Sequence, residues 1–274
     1  MTRMVAPVEK GVFWWRRGLN VHSLSKRRKM LRRSETGMQP VRGIPFARFV
    51  GDLERKRILL LSTSGIVPRL QEFEEPEKGY YLLDQDIQLD ELYLPKRHFQ
   101  EKNVDEDLNC LFPIDRLREL ASEGIIQAPA EKHVSVYGFH LVIRHIRRVV
   151  APLIAEEVEA VEADGVIVLS GCVFCHRIAA IVQKTIEDRG IPTVAVSQYP
   201  RLTYFYGVSR ILYPVGFRPG HAVGLPNRPE MQRRVLLDAL NLLVNATEPL
   251  TLVQKHYEGY PEAKSRWSIR GKRS

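Results

Sequence analysis

The sequence has 274 residues, 44% of them hydrophobic and 27% charged, which is enough for one large domain or two small ones with a substantial core. Its 18 Gly and 17 Pro exclude a low-complexity or collagen-like chain, and no apolar run reaches the length of a membrane-spanning helix. The three Cys do not make a disulfide framework and no secretory signal is evident, so we expect a reducing compartment, the cytoplasm.

The net charge of +9 is concentrated at the beginning of the chain. Residues 1–34 contain ten Lys or Arg and one acid, whereas the rest of the chain contains 31 bases and 31 acids. We therefore predict a basic, solvated arm over residues 1–50. The alternatives for residues 1–34 are contact with nucleic acid or an anionic surface, or a transit peptide, although serines are few. The balanced remainder gives no compositional sign of nucleic-acid binding.

The first half of the remaining chain alternates between strand and helix patterns. Short apolar or period-two runs predict strands at residues 57–62, 80–83 and 133–138. Apolar residues at three- and four-residue spacing predict helices at residues 113–123 and 139–161. Gly124 is placed to end the first helix, and Pro152 is expected to kink or divide the second.

The clearest unit follows in the second half. An apolar strand at 165–169, an amphipathic helix that ends near Gly190 and a strand at 193–197 form a βαβ crossover, which requires parallel strands. Residues 211–215 predict another strand, and residues 230–246 predict a last amphipathic helix.

These elements predict an α/β fold. We expect three layers, with a mainly parallel sheet and helices on both faces, as in Rossmann or flavodoxin-like folds. The predicted domain occupies residues 51–250, as one body or two lobes, and residues 251–274 are predicted to form a polar C-terminal tail.

Two cysteines stand between the predicted strand 165–169 and the helix that follows it. They belong to the segment Cys172-Val173-Phe174-Cys175-His176. Ligands of parallel sheets bind outside the carboxyl ends of strands, and a helix N-terminus stabilises a thiolate. Cysteines three residues apart can close a disulfide, and His176 and Arg177 add a proton donor and a positive charge. The spacing therefore indicates a nucleophile, a resolving thiol and an acid.

Two other interpretations of the cysteines remain open. The pair is also half of a zinc site, for which Cys110 and a histidine such as His133, His140 or His176 would have to complete the ligands. Alternatively, both cysteines are small buried residues of the core, where free Cys packs well.

Further polar residues are candidates for binding a small-molecule substrate. Thr63 and Ser64 follow the strand 57–62, His140 follows the predicted strand 133–138, and His221 lies in a Gly/Pro-rich loop that can fold over a site. Arg177 and the helix N-terminus would hold an anionic substrate.

Five segments carry a resemblance to a known family. They are ILLLSTSG (58–65), DLNCLFPIDRLRELASEGII (107–126), HVSVYGFH (133–140), DGVIVLSGCVFCHRIAAIVQKTIEDRGIPTVAVS (164–197) and YPVGFRPGHAVGLPNRPEMQRRVLLDALNLL (213–243). On these motifs the chain resembles the selenoprotein B family of glycine/sarcosine/betaine/D-proline reductases, and most closely the branch that contains the proline reductase selenocysteine subunit.

The resemblance implies a chemistry and partners. The family's redox motif corresponds to Cys172–Cys175, where this chain has cysteine in place of the usual selenocysteine. The chalcogen is expected to attack the bond that is cleaved reductively, and a dithiol or thioredoxin-like donor resets it. A pyruvoyl group on a partner subunit is expected to activate an amine substrate. We also expect a homo-oligomer.

Three hypotheses about function follow. In the first, the protein is a thiol-dependent reductase or reductive lyase in which Cys172 attacks, Cys175 resolves, in this or the reverse order, and His176 protonates the leaving group. In the second, it is a non-catalytic subunit or scaffold of a reductase complex. In the third, it is a cofactor-free racemase, which would need Cys110 close to Cys172.

Overall fold

The structure, a computed structural model, describes residues 43–71, 78–95, 104–137 and 142–261. All of these residues belong to the compact unit Pro40–Ser274. The predicted basic segment 1–34 and the candidate His140 lie outside the described residues.

A sheet of eight strands forms the middle layer of the described fold. Besides these eight, β2 and β4 form a separate antiparallel pair, so the described residues contain ten strands, numbered along the chain. They are β1 (Arg57–Ser62), β2 (Val67–Pro68), β3 (Tyr80–Asp84), β4 (Leu92–Tyr93), β5 (Ala128–Pro129), β6 (Lys132–Val136), β7 (Gly165–Leu169), β8 (Thr193–Val196), β9 (Arg210–Pro214) and β10 (Thr251–Lys255).

The main sheet has the strand order β10-β9-β8-β7-β1-β6-β3, and β5 also pairs with β1. All pairings in it are parallel except that of β3 with β6. The predicted mainly parallel sheet is therefore confirmed. Every residue of the central strands β7 and β8 is buried because helices cover them on both sides.

Five helices pack on the sheet in the described part of the chain, besides short 3₁₀ turns. They are α1 (Ile114–Ser122), α2 (Ile143–His145, Ile146–Val150 and Ala151–Ala160 in succession), α3 (Cys175–Asp188), α4 (Pro200–Tyr206) and α5 (Pro229–Asn245). Within α2, Ile146–Val150 is π-helical and precedes Pro152. The wider turn accommodates the missing N–H of this proline without dividing the helix.

The two sides of β1 show the layering directly. Leu60 packs in the cluster that contains α1 and α5, whereas Leu59 and Leu61 pack in the cluster that contains α2 and α3. Successive strand residues point to opposite faces, so this alternation places two helices on each side of the sheet. The three-layer prediction is confirmed.

The domain extends beyond the predicted limits 51 and 250. Residues 251–255, which were predicted to lie in the polar tail, pair in parallel with β9 as the edge strand β10. The strand is half-exposed and carries polar residues, so it lacks the apolar pattern of a central strand. At the other end, Ala47 is buried and its N–H donates to the Glu187 carboxylate.

A buried ion pair holds this N-terminal segment on the sheet. Arg210 and Glu187 are both buried and their side chains are 2.9 Å apart. The Arg210 guanidinium also donates to the carbonyl of Ala47 at 2.6 Å and stacks on Phe46. The Glu187 carboxylate accepts from the N–H and the hydroxyl of Thr193. These bonds compensate the cost of burying two charges.

Candidate active site at the carboxyl edge of the sheet

The two cysteines of the motif meet at the carboxyl edge of the sheet. Cys172 lies in the loop after β7, Cys175 begins α3, and their sulfurs are joined as a disulfide with the Cα atoms 5.0 Å apart. The N–H of Cys175 donates to Sγ of Cys172 at 3.3 Å. In the reduced pair, the same N–H and the helix N-terminus would favour a thiolate on Cys172.

Both sulfur-bearing residues are covered. Cys172 is 3% exposed and Cys175 is 0% exposed, although Val173 and Phe174 between them are only half-buried. The cysteines lie outside the carboxyl end of β7, where ligands of parallel sheets bind, but the structure shows a closed site there. A reactant therefore reaches Cys172 only if a neighbouring segment moves.

That neighbouring segment is the loop between β9 and α5. The N–H of Gly220 donates to the carbonyl of Gly171 at 2.8 Å, and the N–H of Val223 donates to the carbonyl of Cys110 at 3.1 Å. Gly220 has φ +93°, a conformation that favours glycine. The Gly/Pro-rich loop that contains His221 thus lies over the residues next to Cys172.

Both ring nitrogens of His176 are hydrogen-bonded within the protein. Its Nδ1–H donates to the carbonyl of Cys172 at 2.6 Å, and its Nε2 accepts from the N–H of Gln198 at 3.2 Å. Burial lowers the pKa of His176 to about 4. The ring is therefore neutral with both nitrogens bonded within the protein, and the acid role of His176 stays a prediction. His176 ties the motif to the end of β8.

Thr63 and Ser64, the candidates that follow β1, lie beside the motif. The Thr63 hydroxyl is 3.2 Å from the carbonyl of Leu169 and 3.4 Å from that of Cys175. Ser64 packs directly against Gly171, where a Cβ would overlap the serine hydroxyl. Both hydroxyls are buried and bonded within the protein. In this form they hold the two strand ends together, and no substrate contact is shown.

Arg177 and Cys110 do not face the disulfide: the first is at the surface and the second is in the core. Arg177 is exposed, and its guanidinium lies over the Tyr206 ring, 6.0 Å from the centroid, so it is turned to the surface. Cys110 is completely buried, and burial together with the nearby Asp107 raises the pKa of its thiol. A thiol held neutral in the core does not suit the racemase hypothesis.

Two residues at this edge were not predicted, Gln198 and Tyr260. Gln198 follows β8 by two positions and is buried. Its Oε1 and the Nε2 of His221 have no hydrogen-bond partner in the described part of the chain. The Tyr260 hydroxyl accepts from the N–H of Arg218 at 3.0 Å and lies 2.9 Å from Nδ1 of His221. The position of Gln198 after a parallel strand is a signal that sequence reasoning could have used, whereas nothing local marks Tyr260.

Burial lowers the pKa of His221 to about 4, and the charge of Arg218 adds to this effect. The ring is therefore neutral near pH 7, and the side-chain amide of Gln198 is 3.5 Å from the backbone carbonyl of His221. The loop and the end of β8 thus place unpaired polar atoms beside the motif.

The described ranges contain no metal-ligand cluster, and two of their cavities lie away from the cysteines. No group of three or more His, Cys, Asp or Glu there has the arrangement of a metal site. A cavity of about 270 Å³ is lined by residues of α5 and the segment 257–259, and another of about 480 Å³ is lined by acidic residues around Asp84 and Glu131. Neither includes Cys172 or Cys175.

Comparison with known proteins identifies relatives. The family model of glycine/sarcosine/betaine reductase selenoprotein B matches residues 23–171, a range that ends one residue before Cys172. The D-proline reductase subunit gamma of Acetoanaerobium sticklandii is 31% identical over 66% of this chain and 74% of its own length. The glycine reductase complex component B subunit gamma of Symbiobacterium thermophilum is 26% identical over 87% of this chain and 61% of its own length.

A third relative is the sarcosine reductase complex component B subunit beta of Peptoclostridium acidaminophilum, 22% identical over 75% of this chain and 49% of its own length. This chain therefore spans between about half and three quarters of these curated relatives. No solved structure matches it. In the described ranges, no helix has both the length and the apolar character needed to cross a bilayer.

Proposed function

Because this chain belongs to the glycine/sarcosine/betaine reductase selenoprotein B family, we propose that it is the thiol-redox component of an amino-acid reductase complex. In this proposal, Cys172 and Cys175 reduce a small amino-acid or amine-like substrate. The observation that carries it is the hydrogen bond from the N–H of Cys175 to Sγ of Cys172 in a pair that can close a disulfide. The names of the relatives, which are subunits of reductase complexes, support the substrate class and the partners.

The order of the two cysteines follows from the same contact. Sγ of Cys172 receives the N–H at the helix N-terminus, and Cys172 is the less deeply buried of the two. Both features suit an attacking thiolate on Cys172 and a resolving thiol on Cys175.

The proposed reaction uses two thiols and no outside oxidant. The Cys172 thiolate attacks the substrate carbon and displaces the amine, so an S–C bond forms as the C–N bond breaks. Cys175 then attacks Sγ of Cys172, the S–C bond breaks with its electron pair on carbon, and the disulfide forms. The two thiol protons end on the amine and on the product carbon, and two electrons pass from sulfur to substrate.

Neighbouring residues would position the substrate. We assign contacts with its polar groups to Gln198 and His221, because Oε1 and Nε2 of these side chains are unpartnered and buried beside the motif. Thr63 and Ser64 would support the first turn of α3, as would His176 through its two hydrogen bonds. A pyruvoyl group on a partner subunit would activate the amine, and a dithiol donor would reduce the disulfide again.

The competing hypothesis is a scaffold subunit, and the burial of both cysteines is the observation that favours it. Alkylation of the reduced protein distinguishes the two. Iodoacetamide is added near neutral pH, and modification of each cysteine is followed by peptide mass spectrometry. The redox proposal predicts that Cys172 reacts at least about tenfold faster than Cys110. Modification of Cys172 only in denaturant would contradict the proposal and support the scaffold.

A further inference from the structure

The charges of the domain are unevenly distributed around the motif. The segments 142–155, 172–186 and 199–209 contain bases and not one Asp or Glu. These segments include the first half of α2, most of α3 and all of α4. The balanced charge of the chain beyond residue 34 therefore conceals a local excess of positive charge beside Cys172 and Cys175.

The structure brings bases from these helices together. The Arg177 guanidinium lies over the Tyr206 ring of α4. Burial raises the pKa of Tyr206, and the charges of Arg177 and Arg147 oppose this shift, so both cations are within electrostatic reach of the ring. Burial and Arg147 both lower the pKa of Lys184, which Asp188 opposes. We call Arg147, Arg177, Lys184 and Tyr206 the basic face.

Arginines on and near this face have no carboxylate partner in the part of the chain that the structure describes. Arg147 and Arg177 take part in none of the ion pairs found there, and neither do Arg148 and Arg201 on the same helices. The acids of α2 lie at its other end, where Glu156 and Glu159 pair with Arg189 instead. Val149 and Tyr204 on the same helices are 42% and 46% exposed. Unpaired cations beside exposed apolar side chains are typical of a protein-binding surface.

We propose that the basic face docks an acidic protein that carries a dithiol and reduces the Cys172–Cys175 disulfide. The inference rests on the proposed function and names the chemistry of the electron donor's surface. Arg177 is two residues beyond Cys175 in the first turn of α3, so a partner seated on the face is next to the disulfide. Exposed Val149 and Tyr204 favour a protein over a nucleic acid, which would be held mainly by its phosphates.

Reduction of the disulfide by the partner is a thiol–disulfide exchange in two steps. Once the loop between β9 and α5 has opened, a thiolate of the partner attacks Sγ of Cys172, and the disulfide breaks with its electron pair on Sγ of Cys175. The partner's second thiolate then displaces Cys172. Two electrons and two protons are transferred to the pair, and the partner leaves as a disulfide.

The test compares reduction of the disulfide by three dithiols. They are dithiothreitol, a synthetic Cys-x-x-Cys peptide flanked by glutamates, and the same peptide flanked by glutamines. Electrostatic attraction raises association rates by about tenfold or more at low salt and fades as salt is added. We expect the glutamate peptide to reduce the full-length protein about tenfold faster than the glutamine peptide at low salt, and equally fast at high salt.

Charge reversal assigns the effect to the basic face and not to the basic N-terminal segment. We expect the Arg147→Glu/Lys184→Glu variant to lose the preference for the glutamate peptide, with little change in the rate of reduction by dithiothreitol. The matched control is Arg228→Glu/Arg234→Glu, which makes the same charge change at α5, on the other side of the sheet. The control should lose much less of the preference.

Each other outcome has a distinct meaning. Equal rates for the two peptides, or equal losses in the two double variants, would overturn the docking inference and leave the proposed function standing. Failure of dithiothreitol to reduce the native pair would overturn the proposed function, and the inference with it. Binding of a single-stranded oligonucleotide that the Arg147→Glu/Lys184→Glu variant abolishes, without any peptide preference, would assign the face to a nucleic acid and also overturn the inference.

Discussion

The N–H of Cys175 donates to Sγ of Cys172 at 3.3 Å, so the first turn of α3 is directed at the sulfur that comes first in the chain. This contact makes the two cysteines unequal, because only a thiolate on Cys172 gains the helix N-terminal stabilisation through this bond. The proposed division into attacking and resolving thiols depends on it.

Single-cysteine variants test this division. With Cys175→Ser, Cys172 should react rapidly with an aromatic disulfide reagent and keep the mixed disulfide, because the resolving thiol is absent. In Cys172→Ser the remaining Cys175 is at a completely buried position, and we expect it to react at least about tenfold more slowly than Cys172 does. Release of the coloured thiol and the mass of the adduct measure both reactions. The reverse ranking would assign the attack to Cys175.

Tyr260 should control access to the motif. Its hydroxyl bonds to the N–H of Arg218 and to His221, and its ring stacks on Phe217 with centroids 4.0 Å apart. Tyr260→Phe removes the polar bonds and keeps the stacking. With about 1 kcal/mol for each of the two bonds, the loop should open about thirtyfold more often, and alkylation of reduced Cys172 should accelerate accordingly.

The control for this prediction is Tyr257→Phe. Tyr257 lies in the same segment, but its hydroxyl bonds to Asp238 of α5, at 2.9 Å. If both variants react with iodoacetamide at the wild-type rate, the loop is not held by Tyr260.

The buried histidines predict loss of stability in acid. Burial lowers the pKa of His176 and His221 to about 4 and that of His133 to about 3, below the ordinary value of about 6.5. Between pH ~4 and ~6.5 these histidines bind more protons in the unfolded chain than in the folded one. The free energy of unfolding should therefore be highest above pH ~6.5 and fall as the pH is lowered toward ~4.

Urea unfolding at several pH values measures this effect. A shift of this size in His176 is worth about 3 kcal/mol when fully expressed, as an order of magnitude. His176→Gln should lower stability at pH 7 and flatten the pH dependence between about 6.5 and 4. An unchanged pH dependence in this variant would show that His176 is not held neutral in the folded protein.

The pair Arg210–Glu187 should contribute strongly to stability. Its charges are buried and 2.9 Å apart, and they anchor Ala47. Glu187→Gln leaves a buried guanidinium without its counter-charge and should cost about 3–5 kcal/mol. Glu159→Gln, at a partly exposed pair with Arg189, should cost less than about 1 kcal/mol. Similar losses in the two variants, measured by urea unfolding, would contradict the assigned anchor.

The sequence predicted those parts of the fold that are set by local patterns. The apolar runs of β1 and β7 and the stripe of α3 show their burial directly in the order of residues, so the parallel sheet and the place of the motif were predictable. The edge strand β10 was missed because its residues 251–255 are half-exposed and lack such a run.

The site was predicted less well because its details depend on contacts between distant segments. The proton on His176 is fixed by the N–H of Gln198, which is 22 positions away. The loop over the motif is held by Tyr260, which is 39 positions from His221. Residue types and spacing identified the cysteines, but they carry no information about which backbone groups surround them.

The redox role of Cys172 and Cys175 is tested most directly by the redox equilibrium of the native protein in buffers of reduced and oxidised dithiothreitol. After rapid quenching with an alkylating reagent, mass spectrometry compares the peptide that contains Cys172 and Cys175 with that of Cys110. If Cys172 and Cys175 are the redox pair, we expect a reversible transition between dithiol and disulfide that is confined to the first peptide. A pair that stays in one state throughout the native range, and changes only after unfolding, would contradict this role.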